Sequence, residues 1–149
     1  MNRAACIDAS VVLKLVVVEA DSELAVALWR ALAARQEHAV APALLLFECV
    51  STLRRLVQQQ RLKASAARLA LDRLLALPIT FPAPDGLVNR AWQIAAHFRQ
   101  PQAYDSFYLA LADLLGIPFW TADERLYNSL RGELRFVRLL GTDAPTEKR

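Results

Sequence analysis

Glycine is scarce in this chain, with four in 149 residues and no two adjacent. A backbone cradle for phosphate needs clustered glycines, so Gly-rich nucleotide loops are excluded. No G-x-S-x-G turn is present to raise a serine nucleophile. Cysteine is limited to Cys6 and Cys49, far apart and each inside an apolar run. That spacing makes no metal motif and fits two reduced, buried thiols. His38 and His97 are isolated and match no ligand or base spacing. No apolar run nears the roughly 20 residues of a membrane span; the longest, Val11 to Val18, is broken by Lys14. No charged segment followed by an apolar one and a cleavage site opens the chain. The expected compartment is therefore the cytoplasm, with no membrane partner.

Apolar residues are plentiful, at 55% of the chain. The length predicts a single domain over residues 1–140 and a polar, frayed tail over 141–149. Net charge is +3 and the isoelectric point is near 9.2, a mild excess that says little about nucleic acid by itself. Its distribution says more, because Arg54, Arg55, Arg61, Lys63, Arg68 and Arg73 share one stretch. Such a run is either a solvated helical hairpin or a surface that tracks phosphates.

Short apolar runs alternate with segments of helical spacing. Ala4–Asp8, His38–Ala41, Ile79–Phe81, Ile117–Thr121 and Arg135–Leu139 read as strands. Helices are predicted over Ser22–Arg35, Ala43–Gln60, Ser65–Leu77, Gly86–Arg99, Ala103–Leu115 and Asp123–Leu130. Ser10–Val18 fits either: its valines favour a strand, and Ser10 can cap a helix. Leu71, Leu74 and Leu75 are expected to face inward on one helix, and Trp92, Ala95 and Ala96 on another. The alternation predicts an α/β fold, a parallel sheet with helices on both faces. Ligands of such sheets sit beyond the carboxyl ends of the strands, where strand order reverses.

Four acids interrupt this apolar pattern. Asp8 closes Ala4-Ala5-Cys6-Ile7, Glu48 follows Leu44-Leu45-Leu46-Phe47, Asp105 precedes Ser106-Phe107-Tyr108-Leu109, and Asp123 follows Phe119-Trp120-Thr121-Ala122. Each has a plain reading alone: a turn for Asp8, a helix cap for Asp123, a helix-face pairing with Thr52 or Arg55 for Glu48. Asp105 resists one, since Leu109 and Ala112 follow on its face and burying an unpaired carboxylate is costly. Four that converge make a negative pocket suited to a divalent cation. Without the cation, at least one should hold its proton above the ordinary range. Ser10 and Thr121, two residues from Asp8 and Asp123, are placed to orient a carboxylate. A haloacid-dehalogenase-like phosphatase would want a second Asp where Ser10 stands.

At these residues the chain resembles the PIN-domain family, and within it the small VapC-like ribonuclease toxins of toxin–antitoxin pairs. Ile7-Asp8-Ala9-Ser10-Val11-Val12, Phe47-Glu48-Cys49-Val50, Tyr104-Asp105-Ser106-Phe107-Tyr108-Leu109-Ala110 and Thr121-Ala122-Asp123-Glu124-Arg125-Leu126 resemble its four motifs, in order, across nearly the whole chain. Ser51 departs from an Asn that many relatives carry three residues after the glutamate. The resemblance implies a three-layer α/β/α sandwich with a mostly parallel sheet and a Mg²⁺ or Mn²⁺ site at Asp8, Asp105, Asp123 and Glu48. It implies RNA hydrolysis by a metal-activated water, a small antitoxin partner and a homodimer. Arg54, Arg55, Arg61 and Lys63 are the candidate RNA contacts. The rival reading is a non-catalytic PIN-like module that binds RNA or protein.

Overall fold

A computed structural model of the chain describes residues 3–130 and 132–145. Five short strands form one sheet: β1 (Ala4–Ile7), β2 (His38–Val40), β3 (Ile79–Thr80), β4 (Phe119–Thr121) and β5 (Val137–Leu139). Their spatial order is β3-β2-β1-β4-β5, and every neighbouring pair is parallel. β1 and β4 are buried along nearly their whole length, as the centre of a covered parallel sheet requires. The chain moves outward from β1 through β2 to β3, then crosses back to β4 on the other side of β1. The reversal therefore falls between β1 and β4.

Helices fill the crossovers: α1 (Ala9–Val16) and α2 (Ser22–Ala34), α3 (Leu44–Gln58) and α4 (Ala64–Ala76), α5 (Leu87–His97) and α6 (Tyr104–Leu115), and α7 (Glu124–Leu130). The main helix contacts join α1 to α2, α3 and α4, α3 to α4, and α5 to α6. These are two separate packed sets, and α6 lies on β1 and β4. Right-handed crossovers in opposite directions put such sets on opposite faces of the sheet. The α/β sandwich with a parallel sheet is thus the observed fold.

Several segments differ from the sequence reading. Ser10–Val18 is helical over Ala9–Val16, because Val11, Val12 and Val16 are buried in helix and sheet contacts that override the strand preference of valine. Trp92 and Ala96 point to solvent, Trp92 with 73% of its surface exposed. α5 turns the small Ala91 and Ala95 with Ile94 inward instead, which lets it pack closely on α6. Leu75 is also exposed, and α4 faces the core with Ala70 and Leu74. Asp113 pairs with Arg90 across α5 and α6 at 2.6 Å. In the tail, the backbone N–H of Leu139 donates to Asp143 at 2.8 Å, so the chain beyond Gly141 is tied to β5. Residues 146–149 of the expected frayed tail lie outside the described residues.

Candidate active site

Asp8 stands one residue beyond β1 and Asp123 two beyond β4, at the switch in strand order. The backbone N–H of Asp8 donates to Trp120 at 2.9 Å, which continues the β1–β4 ladder to the acid itself. Asp8 is buried, and its Oδ2 accepts from Ser10 Oγ at 2.8 Å and Thr121 Oγ1 at 2.7 Å. Each hydroxyl is held in turn: Ser10 Oγ accepts from the N–H of Ala122 at 2.9 Å, and Thr121 Oγ1 from that of Asp123 at 3.0 Å. Both residues chosen from the sequence thus orient Asp8 and lace the end of β1 to the end of β4.

Asp123 caps α7, its Oδ1 accepting from the N–H groups of Arg125 at 2.9 Å and Leu126 at 3.1 Å. The plain reading of Asp123 as a cap is therefore correct, and it does not exclude a second role. Glu48 arrives on α3 and pairs with neither Arg55 nor Thr52; its Oε1 accepts from the Tyr108 hydroxyl of α6 at 2.8 Å. Asp105 lies in the first turn of α6 and is partly buried. In Glu48 and Asp123 these bonds engage one carboxylate oxygen each.

Burial and mutual charge act on three of the acids. Burial pushes the Asp105 carboxyl up to about 6, with the charges of Asp8 and Asp123 adding to it. Burial also raises Asp8, opposed by the hydroxyls of Thr121 and Ser10 and the N–H of Ala9, while the charge of Asp123 adds to the rise. Glu48 is raised by burial, opposed by the Tyr108 hydroxyl, with Asp8 and Asp105 adding. The expectation that at least one acid holds its proton above the ordinary range is thus met at Asp105, Asp8 and Glu48. Cys49 is pushed up to about 12 by burial and by Glu48 and Asp8, so it stays a thiol and is no nucleophile.

The four acids do not form a finished metal cage: among the described residues, no three His, Cys, Asp or Glu side chains are gathered closely enough to hold an ion. The donor chemistry nevertheless fits a hard divalent cation, since every candidate ligand is a carboxylate oxygen. Asp8, Glu48 and Asp105 each feel the negative charge of at least one other acid of the four, a repulsion that a cation would relieve. Arg54, Arg55, Arg61 and Lys63 sit apart, exposed on the second half of α3 and the turn into α4. Sequence reasoning missed Tyr108; a tyrosine in place of phenylalanine at a core position was the available signal, since its hydroxyl needs a partner.

Comparison with known proteins agrees with this fold. The PIN domain family matches residues 5–129. A VapC ribonuclease of Mycobacterium bovis is 38% identical over 117 residues, covering 75% of this chain and 88% of its own. Ribonuclease VapC1 of Mycobacterium tuberculosis is 35% identical over 101 residues, covering 66% of this chain and 74% of its own. Among solved structures, PAE2754 of Pyrobaculum aerophilum superposes with a TM-score of 0.64 at 20% identity, covering 90% and 91% of the two chains. The sarcin–ricin-loop-cleaving toxin VapC20 of Mycobacterium tuberculosis superposes with a TM-score of 0.63 at 20% identity, covering 85% and 95%. These two structures share the fold.

Proposed function

The chain belongs to the PIN-domain family, and from that premise we propose that it is a metal-dependent endoribonuclease, the toxin of a toxin–antitoxin pair. The carrying observation is a cluster of electrostatically linked carboxylates at the β1–β4 switch, in a chain 38% identical to a VapC ribonuclease. Asp8, Asp105, Asp123 and Glu48 would hold Mg²⁺ or Mn²⁺ through carboxylate oxygens. A bound divalent ion would supply charge stabilisation for the phosphodiester and a lowered pKa for water.

The chain supplies the rest. Ser10 and Thr121 fix one oxygen of the buried Asp8. The cap bonds fix the Asp123 side chain against α7. Asp8 is buried, so charges near it act through less water than at the surface. Arg54, Arg55, Arg61 and Lys63 attract and align the RNA backbone. Attack by water needs no 2′-hydroxyl, so the products carry 5′-phosphate and 3′-hydroxyl ends. The protein works in the cytoplasm on RNA, as a homodimer, restrained by a small antitoxin protein. Among the described residues no helix is long and apolar enough to cross a membrane.

The test is cleavage of cellular RNA by purified protein with Mg²⁺ or Mn²⁺, followed by mapping of the new ends. Activity that EDTA and Asp8→Asn both remove is the expected result. RNA binding without cleavage under any divalent ion would favour a non-catalytic module. Expression alone should stop growth, and co-expression of a short adjacent reading frame should restore it.

A further inference from the structure

We propose that Tyr108 is a positioning residue of the acidic crevice, holding Glu48 in place from a different helix so that its carboxylate meets the cation at a fixed spot. The proposal rests on the nuclease reading for what Glu48 does, and on separate observations for how Tyr108 acts. Tyr108 is fully buried. Its ring packs on Phe119 of β4 with centroids 5.9 Å apart, and its carbonyl accepts from the Cys6 thiol of β1 at 3.6 Å. The residue is therefore held against both strands that lead to Asp8 and Asp123, by its ring on β4 and its backbone on β1. Phenylalanine would satisfy that packing equally well. The hydroxyl is what differs, and a buried hydroxyl must find a partner. Its partner is Glu48 Oε1, at 2.8 Å.

The placement explains why this bond matters. Asp105 stands three residues before Tyr108, one turn away on the same side of α6. One helix thus delivers an acid directly and fixes a second through a clamp. α3 and α6 are not among the main packed helix pairs, so the Tyr108–Glu48 bond joins two helices that pack chiefly on other partners. An untethered glutamate would sample many rotamers. Groups that hold a metal ligand typically contribute about 10–100-fold in metal affinity or activity.

The experiment uses the full chain and reads Mn²⁺ affinity by calorimetry, RNA cleavage and the metal-free melting temperature. Tyr108→Phe is expected to weaken Mn²⁺ binding by about tenfold or more, with cleavage partly recovered at high Mn²⁺ and the melting temperature little moved. Glu48→Ala should lose similar affinity, and adding Tyr108→Phe to it should cost nothing further. Unchanged Mn²⁺ affinity in Tyr108→Phe would overturn the proposal, as would an equal loss with and without Glu48. If Tyr108→Phe does not fold, Tyr108→Leu replaces it; this also removes the hydroxyl, leaves Glu48 intact and should weaken Mn²⁺ binding equally. Full Mn²⁺ affinity in Tyr108→Leu would overturn the proposal. Wild-type protein that neither binds Mn²⁺ nor cuts RNA would remove the nuclease reading and this role with it. Wild-type protein that does both, beside an unchanged Tyr108→Phe, would remove the Tyr108 proposal alone.

Discussion

Asp105 holds its proton up to about pH 6, against an ordinary value of 3.8. The folded protein therefore binds that proton more tightly than the unfolded chain does. Its contribution to stability is complete below about 3.8 and is lost as pH rises through about 6. In EDTA, then, Asp105→Asn should be more stable than wild type at neutral pH, with the gap closing over that window. Urea unfolding across the range measures it, and a variant less stable at every pH would assign Asp105 a structural role. The same substitution should abolish cleavage. Thr121→Val makes a different demand, since it keeps the shape and removes a donor to the buried Asp8. A decrease of about 1–3 kcal/mol in unfolding free energy is expected. Because that hydroxyl holds the Asp8 carboxyl down, its removal should also move the acid limb of the cleavage profile to higher pH. The acids stood out in the sequence because each interrupts an apolar run, although Asp8, Glu48 and Asp123 also have a plain reading alone. Tyr108 was not read, because a core tyrosine signals that its hydroxyl has a partner without saying which residue that is.

At the scale of elements, boundaries followed local chemistry and orientations did not. α6 ends at Gly116, as the sequence indicated, and Gly116 adopts a left-handed backbone with φ of 64°. Nothing stands within 4 Å of where a Cβ would be, so Gly116→Ala meets only the backbone penalty, about 1 kcal/mol. Chemical denaturation should show that decrease with cleavage at saturating metal unchanged, because Asp105 lies at the opposite end of the helix. A fall in activity out of proportion to stability would mean that α6 shifts as a rod. Which face of α5 turns inward was not legible. Its pattern offers Trp92 beside Ala91 and Ala95, and only the tight approach of α6 decides for the small residues. α1 posed the same problem, since a run of valines suits a strand until helices and sheet surround it.

Across the whole molecule, charge is sorted along one helix. α3 begins near the acidic crevice with Glu48 and ends near Arg54, Arg55 and the turn that holds Arg61 and Lys63. Arg54 and Arg55 stand about 9–11 Å along the helix from Glu48 at the usual rise, and neither pairs with it. Arg68 is engaged by Asp72 at 2.9 Å, whereas the four earlier cations are exposed. If they track phosphates, they raise affinity without touching the scissile bond, and the effect must carry a salt signature. Replacing Arg54, Arg55, Arg61 and Lys63 together with Ala should flatten the slope of log affinity against log salt by about 0.7 for each phosphate that the protein no longer neutralises. Binding would be measured with single-stranded RNA and Asp8→Asn protein, which is expected not to cut. Cleavage of a very short oligonucleotide, too small to reach from crevice to hairpin, should be nearly unaffected. An unchanged slope would mean that the hairpin is simply solvated, and that the RNA leaves the crevice by another face.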